Sequence, residues 1–272
     1  MSAEFINYLE ELVGDQHLQH FYLVNHVLSL NSRNITPSKV LTIGNEEHWI
    51  LVFCAEGQFH IYGNNWVDSQ LLKFLDSVDF SEISDGYFFS GNRYLIEYLM
   101  INNESVGIIT FKNREFYETK KNLSSRESED LNIGFCTMED LNEVTEMNCS
   151  FFEEEYNGEN NKDFDEIKVD MISHILDKKY FVAKADNELV GFCSIMDTVF
   201  GNSMIGTIYI KPKYRSKGYG QTLLQNTTHF VLTENPKCWL MTDEANISSN
   251  NMVLKIGYKR IFQYTSGNIK KL

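Results

Sequence analysis

No two cysteines in this chain are spaced as a CxxC pair. The five present, Cys54, Cys136, Cys149, Cys193 and Cys238, are odd in number and mostly set in apolar runs such as Phe192-Cys193-Ser194. That usage excludes a disulfide framework and reads as small buried hydrophobes in a reducing compartment. No apolar run approaches the roughly 20 residues a bilayer-spanning helix needs. The first residues, MSAEFINYLEELV, carry acids where a secretory leader carries basic residues. The expectation is a soluble, cytoplasmic protein with no membrane partner. Basic residues are outnumbered, 24 against 38 acids, for a net charge of −14. Such a balance repels nucleic-acid phosphates, and no basic stripe with interleaved aromatics is present, so no nucleic-acid partner is expected. His17 and His20 form an HxxH pair with no carboxylate or third histidine nearby to complete a site. No metal is expected.

What the chain has is length and apolar material. Its 272 residues, 43% of them hydrophobic, suit two domains of ordinary size. Helical spacing appears at Phe5, Leu9, Leu12 and Val13, and again over Leu18–Val27. Trp49–Ala55 is a continuous apolar run of strand length, turned at Glu56-Gly57 and answered by Phe59–Tyr62, which reads as a β-hairpin. Helical spacing returns at Val67–Leu75, a strand at Tyr87–Phe89, a helix at Asn92–Met100 and a strand at Val106–Phe111. The polar stretch TKKNLSSRESED, Thr119–Asp130, is the best boundary. The expected domains are therefore 1–120 and 130–272. Beyond it come a strand at Asn132–Cys136 and a helix opening at Thr137, with Asp140 three residues on in capping-box position. An acidic stretch, Glu153–Asp170, and a second hairpin, Tyr180–Lys184 with Leu189–Met196, follow. The two halves share a hairpin, strand and helix order, which hints at a duplication. The fold class is α/β (α+β), with a mixed, mostly antiparallel sheet flanked by helices and a second α/β domain at the N-terminus.

The most informative segment is Ile205–Val231. Ile205–Ile210 is rich in β-branched residues and reads as a strand, ended by Pro212. A short loop, Arg215-Ser216-Lys217-Gly218-Tyr219-Gly220, precedes apolar positions at helical spacing: Leu223, Leu224, Thr227, Phe230 and Val231. Pro236 stops that helix. The first turn of a helix has unpaired N–H groups and partial positive charge, and glycines there let backbone approach a phosphate. Arg215 and Lys217 add charge of the same sign.

The string Ile210–Gly220, with Pro212, Arg215, Gly218 and Gly220 in register, resembles the acyl-CoA signature of the GNAT acetyltransferase family. The order of elements over 131–272 resembles that fold. Cys238–Thr242 is the strand after the signature helix and Asn246–Ile256 the next helix. Gly257-Tyr258 stands for the family's closing Gly-Phe, with Asn246 in its Asn position. The resemblance implies an N-acetyltransferase that moves an acetyl group from acetyl-CoA to the primary amine of a small molecule or peptide by direct attack. It implies that the backbone of Ile208, Tyr209 and Ile210 pairs with the pantetheine arm. Arg215, Ser216 and the N–H groups of Lys217, Gly218, Tyr219 and Gly220 then hold the diphosphate. The thioester lies where the signature strand and Cys238–Thr242 part, with a strand N–H polarising its carbonyl.

Many members carry a Tyr four residues before the closing Gly; here that position is Val253. No Glu stands on Ile205–Ile210 to act as base. The catalytic candidates are Tyr258 or Tyr264 as acid and, as base, Asp243 ahead of Asp197 or Glu244, each with a competing structural role as turn carboxylate or core residue. The acidic stretch, with Glu153, Glu154, Glu155, Glu159 and Asp163, is either one wall of an acceptor site or a solvated helix face. Alternatives in function are an acyltransferase for a longer acyl-CoA, similar to glycine N-acyltransferases, and a non-catalytic acyl-CoA sensor. The partner expected is a small-molecule amine, with pairing into a homodimer left open. Residues 1–118 have no RxxGxG string and are read as a degenerate copy of the fold, with Ser90–Arg93 where its signature loop would stand.

Overall fold

The structure, a computed structural model, describes residues 3–14, 17–120, 129–158, 162–198, 201 and 203–272; at 3–6 and 17 it describes the backbone alone. The chain forms two compact units. One joins Met1–Phe116 with Thr242–Ile247 and Arg260–Leu272, and the other joins Tyr117–Met241 with Ser248–Lys259. This differs from the expected division at 120 and 130: the C-terminal strand packs in the first unit, and the change of unit falls inside a strand. Polarity marked 119–130 as a linker, yet residues 119 and 120 are paired strand, and 121–128 lie outside the described residues.

In the first unit, α1 (Ala3–Val13) and α2 (Phe21–Ser32) lead into β1 (Lys39–Gly44), β2 (Trp49–Ala55) and β3 (Gln58–Asn64). These three strands are an antiparallel meander. Every residue of β2 is buried, which is why it reads as an unbroken apolar run. Glu56 (φ 50°) and Gly57 (φ 73°) make the two-residue turn whose positive φ suits the strand twist. β1 was not expected; it is mostly half-exposed, and its sequence alternates too weakly to show. After α3 (Asp68–Ser77) comes β4 (Phe88–Asn92), which pairs parallel to β3. α4 (Arg93–Ile101) and β5 (Val106–Lys120) follow. β11 (Lys259–Lys271), the end of the chain, lies antiparallel on β4. Phe74, Phe89, Leu95, Ile96 and Leu99 anchor the core under α3 and α4.

In the second unit, β6 (Asn132–Phe135), β7 (Tyr180–Ala185), β8 (Glu188–Asp197) and β9 (Ser203–Ile210) form an antiparallel series. α5 (Leu141–Tyr156) and α6 (Phe164–Leu176) intervene between β6 and β7. α5 starts later than expected. The Asp140 carboxylate accepts from both the N–H and the hydroxyl of Thr137, so these residues form a turn in front of the helix rather than its first turn. The β7–β8 turn is Asp186-Asn187, both at positive φ. α7 (Tyr219–Glu234) follows β9 and ends just before Pro236. β10 (Lys237–Asp243) pairs parallel to β9, and α8 (Ile247–Ile256) comes next. Leu223, Leu224, Val231, Cys238, Leu240 and Val253 form the core on one face of the sheet. Val144, Met147, Met171, Phe192 and Tyr209 form the core on the other. Leu223 and Leu224 are fully buried, and each contributes roughly 2 kcal/mol of transfer free energy.

The two units trace the same path: three antiparallel strands, a helix, a strand parallel to the third, and a helix. Ser90–Arg93 is therefore not the counterpart of the glycine loop. β3 corresponds to β9 and β4 to β10, so the counterpart is the short segment 65–67 before α3.

Candidate active site

β9 and β10 are in register at one pair, Met204 opposite Trp239, near the start of β9. The ladder does not continue to Ile208 or Ile210. On the other side, the Lys211 N–H donates to the Val190 carbonyl at 2.9 Å. By the two-residue alternation of an antiparallel ladder, the backbone groups of Tyr209 then face β8, and those of Ile208 and Ile210 face the β10 edge. Arg215 Nε, donating to the Ile210 carbonyl at 2.8 Å, agrees with that orientation. The β10-facing groups of Ile208 and the Ile210 N–H are thus left without a strand partner beyond the single pair at Met204.

The loop after β9 is built from unusual backbone. Pro212–Tyr214 make one tight turn, Ser216 sits at φ 64°, and Gly218 caps α7 in the left-handed region at φ 84°. A Cβ on Gly218 would meet nothing within 4 Å, so the space outside it is open. A Cβ on Gly220 would lie 3.4 Å from Ile210 Cγ1 and Met252 Sδ, so that glycine lets the first turn sit close to the strand. The earliest N–H in this helix to find a backbone acceptor outside it is that of Thr222, bonded to the Gly218 carbonyl. No acidic residue stands in the first turn. An exposed helix start with unpaired N–H groups, no acid and a glycine cap is suited to an anion.

Arg215 is already engaged. Its Nη2 donates to both carboxylate oxygens of Glu154 on α5, at 2.9 and 2.8 Å, and its guanidinium lies 5.3 Å from the centre of the Tyr209 ring. The Tyr209 hydroxyl donates to Glu154 at 3.1 Å. Burial, and then the Glu154 charge, raise the Tyr209 pKa. Lys217 extends over the Tyr214 ring at 5.3 Å. Of the acidic stretch, Glu153, Asp163, Asp165, Glu166 and Asp170 are exposed, while Glu159 lies outside the described residues.

The catalytic candidates Tyr258 and Asp243 have structural roles. Tyr258 is sealed in the core of the second unit, its hydroxyl bonded to Thr228 Oγ1 at 2.7 Å and to Cys238 Sγ at 3.3 Å. Burial raises its pKa well above the ordinary value. Asp243 belongs to the first unit, where it pairs with Lys112 at 2.6 Å and accepts from the Ala245 N–H at 2.8 Å. Although burial opposes it, Lys112 and that N–H hold its carboxyl below the usual range, which makes it a weak base. Asn246 is an exposed residue of the first unit, placed just before α8. Val253, where relatives of this pattern carry Tyr, is buried at 1% exposure. His20 is buried against the rings of Trp49 and Tyr62, and the side chain of His17 lies outside the described residues.

Two site residues were missed from sequence. Glu154 was visible only as one acid among many. Ser194 sits in the apolar run of β8, where a lone hydroxyl was the available signal. Its Oγ accepts the Thr207 N–H at 2.7 Å.

The second unit is thus a mixed α/β sheet whose parallel pair is joined by a glycine-capped helix. Residues 141–258 match the model of the acetyltransferase (GNAT) family. Among solved structures, a GCN5-related N-acetyltransferase from Sphaerobacter thermophilus is similar at 14% identity and TM-score 0.54, covering 83% of this chain and 76% of its own. A GNAT-family acetyltransferase from Colwellia psychrerythraea has the same identity, TM-score and coverage of this chain, and is covered over 82% of its own length. A Drosophila protein covers 100% of this chain and 97% of its own at 12% identity and TM-score 0.54. At such identities the likeness is one of fold. Its reach beyond the matched segment shows that the N-terminal part shares the fold of those structures as well. No curated protein matches the chain.

Proposed function

We propose that the second unit is an N-acetyltransferase that uses acetyl-CoA as donor and a primary amine as acceptor. The observation that carries this is the parting of β9 from β10 after Met204–Trp239, with the open, glycine-capped start of α7 directly following β9. The N–H groups of Lys217–Gly220 suit a diphosphate, and the outward backbone groups of Ile208 together with the Ile210 N–H suit the amides of a pantetheine arm. The donor supplies an acetyl thioester. The acceptor nitrogen bonds to the carbonyl carbon, the C–S bond breaks, and the thiolate leaves with the sulfur electron pair. The proton lost by the amine passes to solvent or to the thiolate. A thiolate is a tolerable leaving group near neutral pH, so the step does not require a positioned acid.

The test is calorimetric titration of acetyl-CoA into the wild type and Gly218→Trp. The open space around Gly218 and the modest cost of a side chain at positive φ, roughly 1–2 kcal/mol, leave the variant folded. Its indole fills the cradle. Micromolar binding to the wild type, lost in the variant, is the expected result; well-folded wild type that binds neither acetyl-CoA nor CoA would sink the reading.

The buried Val253 and the sealed Tyr258 favour a second reading, a non-catalytic acyl-CoA sensor. It is separated by thiol release from acetyl-CoA over a panel of amines: a sensor binds without releasing CoA.

A further inference from the structure

Resting on the reading that an acetyl thioester lies at the β9–β10 gap, we propose that Ser194 is a positioning residue for the transfer. Its hydroxyl fixes a bulge in β9 and so aims the Ile208 N–H at the thioester carbonyl oxygen.

The bulge is read from the register. Cys193 lies opposite Ile208 and Ile195 opposite Ile205, so two residues of β9, Gly206 and Thr207, face the single residue Ser194. An extra residue of this kind bends and twists its strand and re-aims the groups beyond it. In an unbroken ladder the Thr207 N–H would go to a β8 carbonyl; here it donates to Ser194 Oγ at 2.7 Å. Ser194 is only 6% exposed, so no water competes freely for that bond. The seat is close: a Cβ on Gly206 would stand 2.8 Å from Ser194 Oγ and from Met196 Cγ and Sδ. Glycine at 206 is what lets the hydroxyl reach the bulge.

Ile208 is the next residue along. Its N–H shares a rigid peptide plane with the Thr207 carbonyl, so anchoring the Thr207 N–H leaves only the two backbone torsions of Thr207 to set where it points. By the alternation set at Lys211, it points to the β10 edge, at the part of β9 where that edge is free. It is the first β9 N–H beyond the bulge to do so. Removing the Ser194 hydroxyl leaves the partly buried Thr207 N–H without this acceptor. The bulge then relaxes toward another partner and the Ile208 N–H turns away.

The test needs no acceptor. Acetyl-CoA carrying 13C at the thioester carbonyl is bound to the full chain, and the carbonyl shift is read together with affinity. In the wild type the carbonyl signal moves downfield on binding. In Ser194→Ala it returns toward the free value while affinity changes less than about threefold, and Ser194→Thr, which keeps the hydroxyl, retains it. Once an amine acceptor is in hand, turnover by Ser194→Ala falls roughly ten- to hundredfold, the scale for misplacing one such donor. A full downfield shift in Ser194→Ala overturns the proposal and leaves the donor reading standing. Absence of binding to the wild type instead removes the donor reading. Should Ser194→Ala not fold, the wild type alone decides. The Ile208 amide proton must move with acetyl-CoA and not with CoA, which lacks the carbonyl; equal movement with both overturns the proposal.

Discussion

β3 with α3 in the first unit and β9 with α7 in the second stand at the same place on the same path, yet their local chemistry is opposite. β3 is zipped to its parallel neighbour over four residue pairs, Gln58–Ile61 with Phe88–Gly91, whereas β9 meets its neighbour at one. Gly91 explains the zipping: at φ 132°, a Cβ there would lie 2.0 Å from the Ile61 carbonyl oxygen, so only glycine allows the approach. The helix starts differ as well. α3 is capped by its own side chains, with the Val67 N–H donating to Gln70 Oε1, and Asp68 brings a negative charge to its first turn. α7 has a glycine cap and no acid. A topology shared by both units thus gives an open, glycine-capped corner in one and a closed, self-satisfied corner in the other. Function follows from the loop chemistry and the strand pairing, not from the path of the chain.

The comparison can be broken most strongly at Gly218. Gly218→Trp is expected to lower acetyl-CoA affinity at least a hundredfold, whereas the first unit already carries a tryptophan, Trp66, in the corresponding segment. Trp66→Ala should leave acetyl-CoA affinity within about twofold by calorimetry; a large loss would assign donor binding to both units.

A second pair of effects separates stability from donor binding. Asp243→Asn removes the carboxylate charge that pairs with the partly buried Lys112 ammonium, and thermal unfolding should show a loss of roughly 1–2 kcal/mol. Acetyl-CoA affinity should not change. A selective loss of turnover with unaltered stability would instead restore Asp243 as a base.

The first unit should also be sensitive to acid. His60 is buried, its ring lies tilted with its centre 4.8 Å from that of His26, and it bonds through Nδ1 to Ser90 Oγ at 3.0 Å. Burial, and then the neighbouring His26, lower its pKa from 6.5 to about 3. Because the unfolded chain takes up the proton first, stability is full above 6.5 and falls as pH drops from 6.5 towards 3. By linkage the loss reaches about 2 kcal/mol at about pH 5. Denaturant midpoints at pH 7 and 5 measure it, and His60→Gln should flatten the difference. An unchanged pH dependence would mean that His60 is not the group responsible.

The smallest effect is at Glu154. Its pair with Arg215 is half-exposed on both sides, so Glu154→Gln should cost below about 1 kcal/mol of stability. It removes a negative charge beside the proposed diphosphate site and frees Arg215, so acetyl-CoA should bind about two- to fivefold more tightly at low salt. Weaker binding would show instead that Glu154 holds Arg215 in its useful position.

Much of this was legible in the sequence because it is local. The hairpins at Glu56-Gly57 and Asp186-Asn187 are written in turn residues, the β9 strand in its β-branched run, and the start of α7 in Gly218 and Gly220. Residue types with restricted or permissive backbones act within a few positions, so their meaning survives without the rest of the molecule. Tyr258 and Asp243 were open to two readings for the opposite reason. A hydroxyl or a carboxylate is catalytic or structural according to what lies against it, and Thr228, Cys238 and Lys112 are remote in sequence.

The sequence by itself determined most element types, the glycine loop and its place after a strand ending before Pro212. Tertiary structure alone decided that the last strand belongs to the first unit, that β9 parts from β10 while β3 stays on β4, and that Ser194 reaches the β9 bulge. Each of these depends on pairing between segments far apart in the chain. Strand partners are chosen by register and close approach across the sheet, and a single chain read in order carries no record of that choice.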